Sequence, residues 1–224
     1  MCFSMGASFG ASAVLGVVGV LAIRRTTSNT QLLLAAIPFV FSLQQFCEGL
    51  VWLSLTNPAY AGWTDRAAHA FLFFAEVLWP VWGPLAVLMI EQRAGRRMTL
   101  RVVSVLGLLV GLYLAWRLMF FPVQTSVIGH HIRYEQYFPL TKFWFAAICY
   151  FVPTVMPFFI SSTRKMWIMG VSVLASYVVT HLFYGEYLTS VWCFLAAVIS
   201  IEVFLIVRAP RRYRPREMSL RPIL

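Results

Sequence analysis

Glu48, His69, Glu76 and His181 are the residues of this chain best equipped for chemistry. Two carboxylates and two imidazoles can hold a metal ion, relay a proton or form a metal-free hydrogen-bonded network. Their setting sharpens this, because each lies in an apolar stretch where a charge costs about 2.5 to 3.5 kcal/mol on insertion scales and is expected to face a bundle interior or hydrated cavity. On a helix, His69 and Glu76 are seven positions apart and share a side, with Arg66 one turn before His69. Gln44, Gln45, Glu48 and Trp52 are related by three, four or seven positions, so both glutamines flank the carboxylate and can hydrogen-bond it. Tyr177, His181 and Tyr184 form a third stripe, and Arg117 offers a counter-charge. As a metal set, Glu48, His69, Glu76 and His181 suit zinc or iron if their helices converge, although the chain lacks the HExxH pattern that places a zinc pair on one helix. Glu202, near the end of its apolar run, reads as structural and able to pair with Arg208 or Lys165.

The elements that must carry these residues follow from composition. Of the 224 residues 60% are hydrophobic and only 12% charged, with a mean hydropathy of +0.77, so the apolar surface exceeds what a water-soluble core can hide. A hydrocarbon layer of about 30 Å needs about 20 helical residues to cross. On that basis the expected architecture is an all-α integral membrane bundle with seven spans, Met5–Ile23, Gln31–Leu55, Ala67–Ile90, Val102–Phe121, Phe143–Ile160, Met166–Tyr184 and Tyr187–Val207. Residues 1–207 make one transmembrane domain and 208–224 a basic cytoplasmic tail. With the N-terminus outside, 14 of the basic residues fall on cytoplasmic segments and only Arg66, Arg117, Arg133 and Lys142 on external ones, which fixes the C-terminus inside by the positive-inside rule. The expected location is therefore the cell membrane. The net charge of +10 follows the spans rather than gathering on a polar domain, which argues for anionic headgroups at the tail and against nucleic acid. No basic residue precedes the first span, so it reads as a retained anchor rather than a signal peptide.

Prolines interrupt the spans at Pro38, Pro80, Pro84, Pro153 and Pro157, and each removes an amide and frees the carbonyl four residues earlier. For Pro80 that acceptor belongs to Glu76, and for Pro153 to Cys149. Gly6 and Gly10, four apart, suggest a close helix contact. Cys2, Cys47, Cys149 and Cys193 all fall toward the outer side without a CxxC or zinc spacing, and read chiefly as packing residues. The segment Pro122–Lys142 is expected to be a long external loop, with His130 and His131 as interfacial residues.

The blocks MCFSMGASF (Met1–Phe9), QQFCEGLVW (Gln44–Trp52), LWPVWGPLAVLMIE (Leu78–Glu91) and SVWCFLAAVIS (Ser190–Ser200) resemble those of an uncharacterised bacterial multipass family, over nearly the whole length. That resemblance implies a helical membrane protein and brings no activity with it. Retinal-binding proteins need a lysine in the seventh helix, and Tyr187–Val207 has none, so retinal is not expected. Ceramidase-like membrane hydrolases use a similar histidine and acid inventory, but the HxxxH pair of their late helix is absent. The expected function is an outward-facing polar chamber binding a small solute, proton or metal ion, in transport or as a ligand-binding component. The alternatives are a membrane metal-dependent hydrolase and a non-catalytic subunit of a larger membrane complex.

Overall fold

The computed structural model describes residues 4–136 and 143–207, with backbone alone at 143–146. The expected tail at 208–224, Cys2 and Lys142 lie outside the described residues. Helices dominate: α1 (Met5–Arg24), α2 (Leu32–Ala35), α3 (Ile37–Thr56), α4 (Thr64–Leu72), α5 (Trp79–Ile90), α6 (Ala94–Phe120), α7 (Phe143–Ile160), α8 (Met166–Phe183), α9 (Leu188–Ile199) and α10 (Ile201–Val207). Among the described residues, six helical stretches are long and apolar enough to cross a membrane, namely Met5–Arg24, Asn29–Thr56, Pro58–Ile90, Ala94–Phe120, Met166–Phe183 and Gly185–Val207. The expected fifth span forms α7, of which Ala147–Ile160 is a shorter apolar helix.

Packing identifies the centre of the bundle. The most apolar window of the α2–α3 stretch is 67% buried and that of α1 only 22%, so α3 is the core helix and α1 its peripheral neighbour. Lipid tails are as apolar as leucine and give helices no hydrophobic reason to associate, so close van der Waals fit decides which ones touch. Gly19 provides that fit for α1, since a β-carbon there would come 2.5 Å from the Phe39 amide nitrogen. Gly6 and Gly10 make no such contact; the nearest atom to a Gly6 β-carbon is Ser4 Oγ in its own turn. Between α5 and α6 the contact is tighter still. A β-carbon at Gly107 would collide with the Pro80 carbonyl, and one at Gly111 would lie 2.7 Å from Val81 Cγ2.

One end of the bundle carries the arginines of the α5–α6 turn, and the other carries a β-hairpin where a loop is expected. Strands β1 (Val123–Ile128) and β2 (His131–Gln136) pair antiparallel in the register Val123↔Gln136 through Ile128↔His131. Valine, isoleucine, threonine and tyrosine favour the pleated surface, and Gly129 at φ 61° supplies the first position of a two-residue type II′ turn. The hairpin is packed down on the bundle: Ile132 is fully buried among Val51, Trp52, Phe71 and Cys193, and Tyr134 stacks on Phe71 at 4.9 Å. His131 stacks on Tyr187 at 4.7 Å, so it is tied to the start of α9 rather than loose at an interface.

The arginine end is knotted by Glu91, whose carboxylate accepts from the Gln92 and Arg93 amides at 2.9 Å and from the Ser162 amide and hydroxyl at 2.6 Å. Arg96 adds hydrogen bonds to the Ile160 and Ser161 carbonyls at 3.0 and 2.8 Å. Burial alone would raise the Glu91 pKa, but the donors from Ser162, Arg93 and Gln92 outweigh it and bring the carboxyl from 4.5 down to about 2.

Candidate functional site

Glu76 is positioned by an irregularity in its helix. Between α4 and α5 the chain winds as a π turn over Phe73–Leu78, in which each carbonyl pairs five residues ahead instead of four. Ala75 lies five residues before Pro80, which has no amide, so at this pitch its carbonyl joins that of Glu76 as an acceptor Pro80 does not fill. Tyr150, from α7, donates its hydroxyl to that Ala75 carbonyl. An unsatisfied backbone group inside a bilayer costs several kcal/mol, and here a neighbouring helix removes the cost. The wider turn also breaks the seven-residue alignment, so His69 and Glu76 no longer share a straight α-helical face.

Arg117 meets Glu76 from α6. Its Nη2 donates to Glu76 Oε2 at 2.6 Å, and both side chains are less than a fifth exposed, at 17% and 18%. Gly107 and Gly111 make the meeting possible, since their contacts with Pro80, Val77 and Val81 bring α6 against the π turn and α5. The pair is one-armed. Glu76 Oε1 and Arg117 Nη1 make no hydrogen bond among the described residues, and Arg117 Nε is buried without an acceptor.

The pair lies in the wall of a cavity of about 190 Å³ toward the hairpin end, bounded also by Tyr150, Phe151, Tyr177 and Trp192. That volume accommodates several waters or a small organic group. Tyr150, Trp192 and Cys193 also line a smaller void of about 50 Å³ deeper among Phe41, Trp79 and Phe158. A larger hollow of about 920 Å³ opens at the arginine end beside Ser162, Thr163, Arg164 and Lys165, and it contains none of the acids or histidines singled out from sequence.

Glu48 is fully buried on α3 and is not among the residues that line this cavity. Ser190 Oγ donates to Glu48 Oε1 at 2.5 Å, while Oε2 has no hydrogen-bond partner. The two glutamines do not both serve it. Gln44 accepts from Trp79 Nε1 at 2.7 Å. Gln45 faces Glu48 closely enough to interact with it, but neither of its polar atoms completes a hydrogen bond of good geometry. On one turn of α9, then, Ser190 faces Glu48 while Thr189, Trp192 and Cys193 line the cavity that holds Glu76.

The histidines stand apart. His69 Nδ1 lies 2.8 Å from the Asp65 carbonyl and 3.2 Å from its carboxylate, one turn back on α4. Arg66, its sequence neighbour, sits over the Trp63 ring. His181 is exposed on α8 and stacks on Tyr177 at 5.8 Å. Among the described residues no three His, Cys, Asp or Glu side chains come together as metal ligands, so Glu48, His69, Glu76 and His181 do not form the expected zinc or iron set. Among the described residues Cys47, Cys149 and Cys193 form no disulfide with one another, and Glu202 takes the Ser172 hydroxyl at 2.8 Å. Ser190, Tyr150 and Gly107 are the positions that sequence reasoning passed over. For the glycine a signal was present, because Gly107 and Gly111 repeat the four-residue small-residue spacing of close helix pairs.

Residues 1–219 match the model of a family described as a family of unknown function, DUF6629. Comparison with curated proteins and with solved structures finds no match.

Proposed function

The chain belongs to the family of unknown function DUF6629, and from that premise we propose that it binds a small solute in the cavity at Glu76 and Arg117, as a transporter or a ligand-binding component of the membrane. What carries the reading is the one-armed ion pair in a wall that also holds four aromatic rings. A buried pair that merely locks two helices gains most when every donor and acceptor is used, whereas this one leaves a carboxylate oxygen and two guanidinium nitrogens without partners among the described residues. In this reading α7 completes seven spans, the N-terminus and hairpin face outward and the basic tail lies on the cytoplasmic face of a bacterial inner membrane, against anionic headgroups.

The test uses Cys193, which lines the cavity. With Cys2, Cys47 and Cys149 replaced by serine, a membrane-impermeant methanethiosulfonate should modify Cys193 in right-side-out vesicles and fail to do so in inside-out ones. Modification from the cytoplasmic side alone, or from neither side, overturns the outward-opening chamber.

A further inference from the structure

The walls of the Glu76–Arg117 cavity define a charge pattern and a shape together, and both bear on what enters it. Trp192 stands nearly perpendicular to two tyrosines, with centroids 5.9 Å and 71° from Tyr150 and 5.1 Å and 70° from Tyr177. Phe151 adds a fourth ring, 5.2 Å from Tyr177 and tilted by 54°. These edge-to-face contacts hold the rings together in the wall of one hollow, and an aromatic ring whose face borders such a hollow attracts a cation, most strongly when water is excluded. Hydrocarbon alone needs no such arrangement beside a carboxylate.

Charge balance narrows the ligand further. Glu76 and Arg117 sum to zero, so a ligand carrying net charge would leave one uncompensated charge in a low-dielectric site. A ligand with separated charges that also sum to zero adds no such penalty. Its cation can lie against the aromatic rings and Glu76 Oε1, while its anion takes Arg117 Nη1, the outer donor that Glu76 leaves unused. At about 190 Å³ the cavity limits the ligand to a few non-hydrogen atoms around each charge.

We propose that this cavity recognises a small zwitterion with a methylated ammonium at one end and a carboxylate or phosphate at the other, either as a free solute or as a lipid headgroup. The inference rests on the ligand-binding reading of the cavity and names its substrate class. The test uses the full chain in phosphatidylglycerol nanodiscs, titrated calorimetrically with glycine betaine, with phosphocholine and with 3,3-dimethylbutanoate, in which carbon replaces the betaine nitrogen. Saturable binding of betaine or phosphocholine about tenfold or more tighter than the carbon analogue is expected. Trp192→Leu and Tyr177→Leu should erase that preference, and Trp192→Phe should keep most of it, which separates loss of the ring from loss of the fold. Equal affinity for betaine and its carbon analogue overturns the zwitterion while leaving a small-solute site standing. Absence of saturable binding by either zwitterion overturns the proposal itself. In phosphatidylcholine discs, weakened binding identifies the headgroup as the source, and unchanged binding identifies the free solute.

Discussion

The Tyr150 hydroxyl donates to the carbonyl of Ala75, an acceptor that Pro80 leaves unpaired in the π turn, so a side chain of α7 completes the backbone of the helix that carries Glu76. Removing it has a defined consequence. Tyr150→Phe should lower stability by about 1 to 3 kcal/mol, the cost of a buried unsatisfied carbonyl. In a Pro80→Ala background, which returns an amide donor, the same change should cost less. Thermal unfolding of the four proteins of this cycle in one detergent checks it; equal costs in both backgrounds would show that the two residues are independent.

Gly107→Ala should drive α6 away from the Pro80 carbonyl and, with it, Arg117 away from Glu76. Overpacking of this kind costs about 1 to 3 kcal/mol. Gly95→Ala, on the same helix with nothing within 4 Å of its β-carbon, should be neutral or slightly stabilising. Unfolding midpoints of both variants measure the contrast.

Glu48→Gln should fold with a stability change within about 1 kcal/mol, because an amide oxygen still accepts from Ser190 and no described cation loses a partner. Glu48→Lys should abolish folding by placing an unpaired charge in a fully buried position. Yield and size-exclusion profiles in detergent distinguish the two outcomes.

His69→Ala and His181→Ala should each change stability by no more than about 0.5 kcal/mol and leave the metal content of purified protein unaltered. His69 has only a neighbour on its own helix turn, and His181 is exposed. Stoichiometric zinc or iron lost in either variant would contradict this and restore the metal set.

Glu91 sets a pH dependence at the arginine end. Its folded pKa of about 2 lies below the ordinary 4.5, so the folded state binds this proton more weakly than the unfolded chain does. The carboxylate's contribution is therefore complete above pH 4.5 and disappears as pH falls through about 2. Glu91→Gln should lower the unfolding midpoint at pH 6, and its deficit relative to the parent should shrink steadily on acidification.

Hydropathy located the helices well because a span is a property of composition over about 20 residues, and the same reasoning picked out Glu48, Glu76 and Arg117 as polar groups needing company. It could not supply the company. Glu48 is joined by Ser190, 142 positions later, and Glu76 by Arg117, 41 positions later; such pairings depend on which helices touch. Counting by seven placed His69 beside Glu76 only on the assumption of an unbroken α-helix, and one π turn removes that assumption. The hairpin escaped notice because Val123–Ile128 and His131–Gln136 are short strands with mixed burial instead of a clean alternation.

The seated hairpin sets Glu48, fully buried, and Glu76, partly exposed in a cavity wall, in different relation to water. Ile132 and Tyr134 cork the space above Trp52 and Phe71, so protons or deuterons arriving from that end meet a plug before they meet Glu48. Glu76 instead lies in the wall of a cavity that no described hairpin residue lines. A short ribbon of twelve strand residues thus covers the approach to one acid and leaves the other beside a cavity.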